Sequence, residues 1–423
     1  MNHNHLSADT PRRGILGLLM AALLFGALGL SAQTVSSPYS MYAYGLLGDN
    51  ATSSQRQMGG TGYAMHSGRQ INAMNPASYA SIDSLTFLFD IGVDLSHHWR
   101  NEDGGSDHDW GGGIDYVTLQ APLSHTVGFS AGLLPYSSVG YAFGSKIDNG
   151  ASSHTGSGGI NQAYVGLGWR PFKPFSVGFN ISYLFGNITN DVYASSNAGQ
   201  TAVFQQKMEV RDFHMRFGAQ YTQRLSRKSS MTIGVTYEPG KALLGKTYVL
   251  KYLQNDNKID TVAPGIVDTK RRFSLASSYG VGLAYDQGDR LHIEADFTYQ
   301  PWKDAKYQQI EGLSDTRLAD RWKVGVGASF IPDLRGGYLK RIAYRAGAFY
   351  NRDYVMVGDN HVRDYGVSVG LGFPTASSKT VVNLGFEYHN RQATPNALLK
   401  EQYFNITLGV NFNAVWFFRN RLL

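Results

Sequence analysis

From Leu85 to Phe412 the chain repeats one pattern, with apolar residues at every second position and small or polar residues between them. Near the end, Phe404, Ile406, Leu408, Val410 and Phe412 share one face, and Asn405, Thr407, Gly409 and Asn411 share the other. Strand side chains alternate between faces with a period of two, so this stretch is expected to be a strand with one wholly apolar side. Leu85, Phe87, Phe89, Ile91, Val93 and Leu95 oppose Thr86, Asp90, Gly92, Asp94 and Ser96 in the same way. So do the runs Phe175 to Phe185, Phe213 to Tyr221, Leu291 to Tyr299, Trp322 to Phe330 and Tyr365 to Phe373. Along the chain the alternation predicts fourteen strands, near 85–95, 114–121, 125–145, 160–169, 175–185, 205–223, 230–238, 272–285, 290–299, 321–330, 342–350, 364–373, 380–388 and 402–412.

The connections between these strands alternate in length. Short ones fall at Pro122-Leu123-Ser124, Pro171-Phe172-Lys173, Ser226-Arg227-Lys228, Gln287-Gly288 and Pro374 to Ser378. Long ones fall at 96–113, 146–159, 186–204, 239–271, 300–320, 351–363 and 389–401. One short-side link, Ile331 to Arg341, is longer than its peers. Short turns on one rim and long loops on the other mark an outer-membrane barrel, whose apolar face meets lipid and whose polar face meets a wet lumen. Two soluble sandwiches would need the same alternation by coincidence, because sandwiches mix hairpins with longer crossovers. The expected fold is all-β, a 14-stranded antiparallel transmembrane β-barrel over 85–412, with both ends on the short-turn, periplasmic side. Phe404 to Phe412 then closes the ring against strand 85–95 and is the expected signal for the barrel-insertion machinery.

The flanking segments read differently. Arg12 and Arg13 precede the apolar run Ile15 to Leu30, followed by Ser31-Ala32-Gln33. This is the layout of a signal peptide over 1–32, with cleavage expected after Ala32 and export to the outer membrane. Residues 33–84 lack a sustained period, yet are too apolar and aromatic for a free tail, so they are expected to pack against something. Residues 413–423, with Trp416-Phe417-Phe418, run on as a periplasmic C-terminal tail.

Composition narrows the choice. Charged residues make up only 17% and aromatics 13%, which suits membrane strands with interfacial girdles at Trp99, Trp169, Tyr237, Tyr299, Trp322 and Tyr350. A mean hydropathy of −0.25 excludes a helical membrane protein, whereas a barrel hides its apolar half by alternation. The chain has no cysteine, which removes disulfides, thiolate metal sites, a lipid anchor and a cysteine nucleophile. The net charge of +6 is modest. Its basic residues cluster at predicted turns (Arg224, Arg227, Lys228; Arg335, Lys340, Arg341; Arg419, Arg421) with no nucleic-acid-binding pattern beside them, so no nucleic-acid partner is expected.

Two motifs stand just before the first strand: Gly59-Gly60-Thr61-Gly62-Tyr63-Ala64 and Asn75-Pro76-Ala77. Placed ahead of fourteen strands, they make the chain resemble the FadL-like outer-membrane transporters over roughly residues 38–412. The resemblance implies that 33–84 is a hatch plugging the barrel lumen, with Gly59, Gly60, Gly62, Asn75, Pro76 and Ala77 as its motif. It implies passive uptake of hydrophobic small molecules or lipids, such as long-chain fatty acids, with lateral release into outer-membrane lipids beside a kink in the third strand. That strand carries Gly132, Leu134, Pro135 and Tyr136. Proline cannot donate a ladder hydrogen bond, so Pro135 marks either a gate or a plain bulge. Phe143, Leu243 and Leu244 are candidates for the hydrophobic pocket. Members of the family also act as type IX secretion shuttle components, so the alternative partner is a secreted protein.

Other chemistry finds little support. Asp90, Asp94, Asp212, His214, Arg216, Glu238, His292, Glu294, Asp296, Arg321, Lys323, Arg345, Asp364 and Glu387 fall on inward positions and are expected to pair with each other and with the N-terminal segment. Asp103, Asp107 and Asp109 lack the spacing and closing Glu of an EF-hand, and His97-His98 lack further ligands, so no metal is expected. No Gly-x-Ser-x-Gly accompanies the His/acid pairs, so neither a catalytic residue nor a cofactor is assigned.

Overall fold

The computed structural model describes residues 37–102, 105–147, 150–197, 200–255, 258–308, 316–375 and 380–415. The expected signal peptide over 1–32 and the expected tail beyond Val415 lie outside them. Fourteen strands form the wall. The first seven are β1 (Thr86–Glu102), β2 (Gly105–Pro122), β3 (Val127–Ile147), β4 (Gly150–Phe172), β5 (Phe175–Ser196), β6 (Gln200–Arg224) and β7 (Ser229–Glu238). The second seven are β8 (Ser278–Gln287), β9 (Leu291–Gln300), β10 (Arg321–Phe330), β11 (Ala343–Val357), β12 (Asn360–Pro374), β13 (Val381–Thr394) and β14 (Lys400–Val415). Each pairs antiparallel with the next, and β14 pairs with β1 from Thr86↔Val415 to Asn101↔Lys400, which closes the ring.

The alternation sets the two faces. Val165, Phe213, Val281 and Val367 are 51–59% exposed on the outside, while Asp90, Asp212 and Glu294 are each 1% exposed. An apolar outside and a polar inside suit a wall with lipid around it and a filled lumen. Aromatic neighbours line the wall at its long-loop end, as where Trp322 stacks on Tyr350 at 5.1 Å.

The expected long loops prove to be mostly strand. β1 and β2 stay paired to Glu102↔Gly105, β3 and β4 to Ile147↔Gly150, and β5 and β6 to Ser195↔Thr201. Above the bilayer both strand faces are wet, so the apolar alternation stops while backbone pairing continues. The predicted loop 239–271 contains a hairpin of its own, Gly245–Asn255 against Lys258–Asp268. It pairs with the upper half of β6, from Gly245↔Val210 to Asn255↔Gln200, while β7 pairs only with the lower half.

The segment from Ser37 to Leu85 touches strands all round the ring, always on the face opposite the exposed apolar rows. Glycines of the wall let it come close. A Cβ on Gly178 would meet the Pro76 carbonyl at 2.4 Å, and one on Gly347 would meet the Gly59 nitrogen at 2.2 Å. Within the segment lie the two-residue strand Leu46–Leu47, a helical turn Ser53–Arg56 with a Thr52/Gln55 capping box, and a 3-10 helix Pro76–Ser81.

Candidate functional site

The glycine motif and the Asn-Pro-Ala motif come together. The Asn75 side chain accepts from Ala77 N at 3.1 Å, capping the 3-10 helix, and donates through Nδ2 to Tyr63 O at 2.7 Å. Pro76 fits the first position of that helix because its fixed φ suits it and it has no N–H to leave unpaired. Gly59 and Gly60 hold φ of +71° and +73°, conformations that side-chain-bearing residues rarely adopt. The turn they allow brings Gly59 N to Ser368 Oγ at 2.9 Å. Beyond it, Gly62 N and Tyr63 N both donate to Asp296, at 2.7 and 3.0 Å, and Ala64 N donates to Glu294 at 2.6 Å. Two wall carboxylates thus receive the unpaired backbone donors of an irregular turn.

The expected pairing of inward charges is present and extends further. Arg56 reaches Asp115 at 2.6 Å and Glu387 at 2.9 Å. His389 lies between Glu387 and Asp364 at 3.3 and 3.4 Å, and Arg391 joins Asp364 to Glu401 at 2.7 and 3.5 Å. Asp49 binds Arg321 at 3.0 Å and Lys323 at 2.5 Å. Enclosure would lift the Asp49 carboxyl, but Lys323 and Arg321 outweigh it and hold it well below the usual carboxylate range. Elsewhere Arg216 meets Glu238 at 2.5 Å, and His292 is held by Asp286 and Glu294 at 2.7 and 3.0 Å.

The sequence did not mark Asp49, Arg56 or Asp115 for this role. Asp115 sits where the β1–β2 register shifts, opposite Gly92/Val93, so the parity that sorts faces fails there. Asp49 and Arg56 lie in a stretch without period. In the crown, Asp107 and Asp109 are bound by Arg100 at 2.8 and 3.2 Å, consistent with a paired acidic hairpin. Ser96 Oγ lies 3.0 Å from His98 Nε2, but Glu401 behind that histidine is already engaged by Ser37 at 2.7 Å and by Arg391.

Pro135 stands at a break in pairing. β2 and β3 pair from Pro122↔Gly128 only as far as Val117↔Leu133. Above that point β3 continues against β4, with a register shift between Pro135 and Ser137. Its other edge is taken by the N-terminal segment: Leu46 pairs with Ser138, Leu47 with Ser137, and Gly48 N donates to Tyr136 O at 2.9 Å. Beside this seam is a cavity of about 230 Å³, lined by Leu46, Leu47, Leu134 and Pro135 and also by Arg56, Asp94, Asp115, Glu387 and Arg391.

The three residues expected to form a greasy pocket are not together. Leu243 is fully buried in an apolar cluster with Tyr44, Val210, Phe273, Trp302 and Tyr354. Leu244 is 39% exposed, and Phe143 is 36% exposed and stacks on His154 at 5.2 Å. Leu243 and Leu244 lie in the short link between the strands Lys241–Ala242 and Gly245–Asn255, where Leu243 N donates to Phe273 O at 2.9 Å and Leu244 N to Asp212 at 3.0 Å. Tyr44 fills the centre of the cluster, its hydroxyl donating to Ser274 O at 3.0 Å and its backbone N to the Tyr354 hydroxyl at 3.1 Å.

No curated protein matches the chain. Solved structures do, and they are outer-membrane transport channels rather than enzymes. The P. putida toluene transporter TodX is 15% identical, with a TM-score of 0.61 over 90% of this chain and 100% of that one. A Pseudomonas aeruginosa FadL homologue is 12% identical, with a TM-score of 0.60 over 88% and 100%. The Ralstonia pickettii toluene transporter TbuX is 13% identical, with a TM-score of 0.56 over 86% and 98%. These likenesses establish a FadL-type barrel fold. The family model for BamG matches residues 15–422, almost the whole chain, and the chain belongs to the BamG family.

Proposed function

We propose that the protein is an outer-membrane channel for passive uptake of hydrophobic small molecules, long-chain fatty acids among them, with Ser37–Leu85 as its hatch. The seam beside Pro135 carries this proposal. β2 and β3 part above Leu133, which is half exposed on the outer face, and the cavity next to the gap has Leu46, Leu47 and Leu134 in its wall. Transfer of apolar surface from water to cluster to bilayer supplies the driving force, roughly 25 cal/mol per Å². The apolar cluster around Tyr44 is the chamber, and in this conformation the chain's own Ala43, Tyr44 and Leu47 occupy it. Uptake therefore requires Leu46–Leu47 to leave the β3 edge. Replacing Pro135 with Val, which lets the ladder continue, is expected to slow uptake of a radiolabelled fatty acid or of toluene. Unchanged uptake of both would reduce Pro135 to a bulge.

A second reading has one observation in its favour, the charge that walls the remaining cavity: Asp94, Asp115, Glu387, Arg56 and Arg391 suit a greasy passenger poorly. In it the barrel binds a secreted protein through its tall hairpins, as a type IX secretion shuttle component does. Native mass spectrometry of the barrel purified in detergent separates the two. A bound acyl chain or aromatic supports transport, and a stoichiometric secreted protein overturns it.

A further inference from the structure

The basic turn residues Arg335, Lys340 and Arg341 take no part in the conduit. They lie on the short-turn link between β10 and β11, which holds the helical turn Tyr338–Arg341. None of the three has a carboxylate within ion-pair distance among the described residues. The link also exposes large apolar side chains: Leu334 is 44% exposed, Tyr338 47% and Leu339 71%. It is fixed against the outside of the wall. Tyr344, an outward residue of β11, donates its hydroxyl to Leu339 O at 3.1 Å, and Arg290 donates to the carbonyls of Ile331 and Pro332. The Arg341 guanidinium lies over the Tyr338 ring at 5.7 Å. Exposed apolar side chains beside free cations at a membrane rim describe a segment seated at the lipid interface.

Directly above the link, the outer wall is hollowed. A groove of about 580 Å³ runs over β8 to β11, lined by Leu283, Ile293, Ala295, Ala328, Ala346 and Ala348. Phe330 pairs with Tyr344 at its foot, and Ala328 pairs with Ala346 one step higher. Two residues of strand rise about 7 Å, so the groove begins within one side chain of the rim that holds the cations.

We infer that groove and link together form a binding site for an anionic phospholipid of the leaflet on the short-turn side. Its phosphate would be met by Arg335, Lys340 and Arg341, and one acyl chain would lie in the groove. Charge decides the occupant: the groove lining is apolar, and the link sets three cations against the single carboxylate of Asp333, whose Oδ1 accepts from Arg335 N at 3.0 Å rather than from a cationic side chain, so a phosphodiester answers the remaining positive charge beside a chain that fills the hollow. A second barrel docking here would have to bury three cations against the one carboxylate of Asp333.

The full-length protein in detergent is to be mixed with phosphatidylglycerol or phosphatidylcholine of identical acyl chains and the retained lipid counted by native mass spectrometry. Preferential retention of phosphatidylglycerol is expected, with a loss of about fivefold for each cation neutralised among Arg335→Gln, Lys340→Gln and Arg341→Gln. Ala346→Phe, which fills the groove while keeping the rim, is expected to lower retention of both lipids. Heat-modifiable migration on gels confirms that each variant is folded. Equal retention of the two lipids by the wild type, a preference unchanged in the triple variant, or a protein tightly held on this face would overturn the inference.

Discussion

Arg56 and Glu387 meet at 2.9 Å although 331 positions separate them in the chain. The pair fastens the helical turn of the N-terminal segment to β13, and Asp115 on β2 holds the same guanidinium from another side. Removing one partner of such a pair strands a charge in a confined space. Glu387→Gln is expected to lower barrel stability by about 3 kcal/mol and to expose the segment to protease. Adding Arg56→Met, which also leaves Asp115 without its partner, should cost less than the sum of the two single losses. A thermal denaturation cycle of the two single variants and the double variant measures the coupling, and additive losses would mean that the pair does not hold the segment.

Leu46 and Ser138 are backbone neighbours in an antiparallel pair, and the chain has no native cysteine. The double variant Leu46→Cys/Ser138→Cys is therefore expected to form one clean disulfide. If release of Leu46–Leu47 opens the conduit, the oxidised protein should lose uptake of hydrophobic compounds and regain it with reductant. Uptake that continues when oxidised would show that the route bypasses this edge.

Tyr44 fills the centre of the apolar cluster, against Trp302 at 5.9 Å and Tyr307 at 5.4 Å. Tyr44→Ala is expected to cost about 3–5 kcal/mol in stability and to leave a hollow among apolar side chains. Such hollows stay dry and accept small apolar molecules. Toluene should raise the melting temperature of the variant more than that of the wild type, as calorimetry would record.

Gly347 has no room for a side chain, because a Cβ there would lie 2.2 Å from both Gly59 N and Met58 C. Gly347→Val is expected to break the fit between segment and wall. Proteolysis after Arg56 should rise in folded barrels, while Ala346→Val, one position away and facing outward, should change little.

The strands were legible because lipid outside and a crowded lumen inside impose a strict period of two, as at Trp322, Val324, Val326 and Ala328 against Arg321 and Lys323. The hairpins above the bilayer were not, since both faces of residues such as Asp107 and His108 are wet and only backbone pairing defines them. The inward charges of the wall could be picked by parity. Their partners Asp49 and Arg56 could not, because an irregular segment has no period to read. Leu243 and Leu244 were grouped on hydrophobicity alone; the apolar cluster takes Leu243 and leaves Leu244 exposed, a split that hydrophobicity does not reveal.

β6 serves two neighbours in succession, β7 along its lower half and the Gly245–Asn255 strand along its upper half. Ring closure uses only the lower of these seams, because β7 passes the ladder on to β8 from Ser278↔Glu238 to Gln287↔Ser229. The Gly245–Asp268 hairpin is therefore a graft on a finished wall. Its length and sequence are free to diverge between relatives, or to carry an inserted epitope, without any change in how the barrel closes.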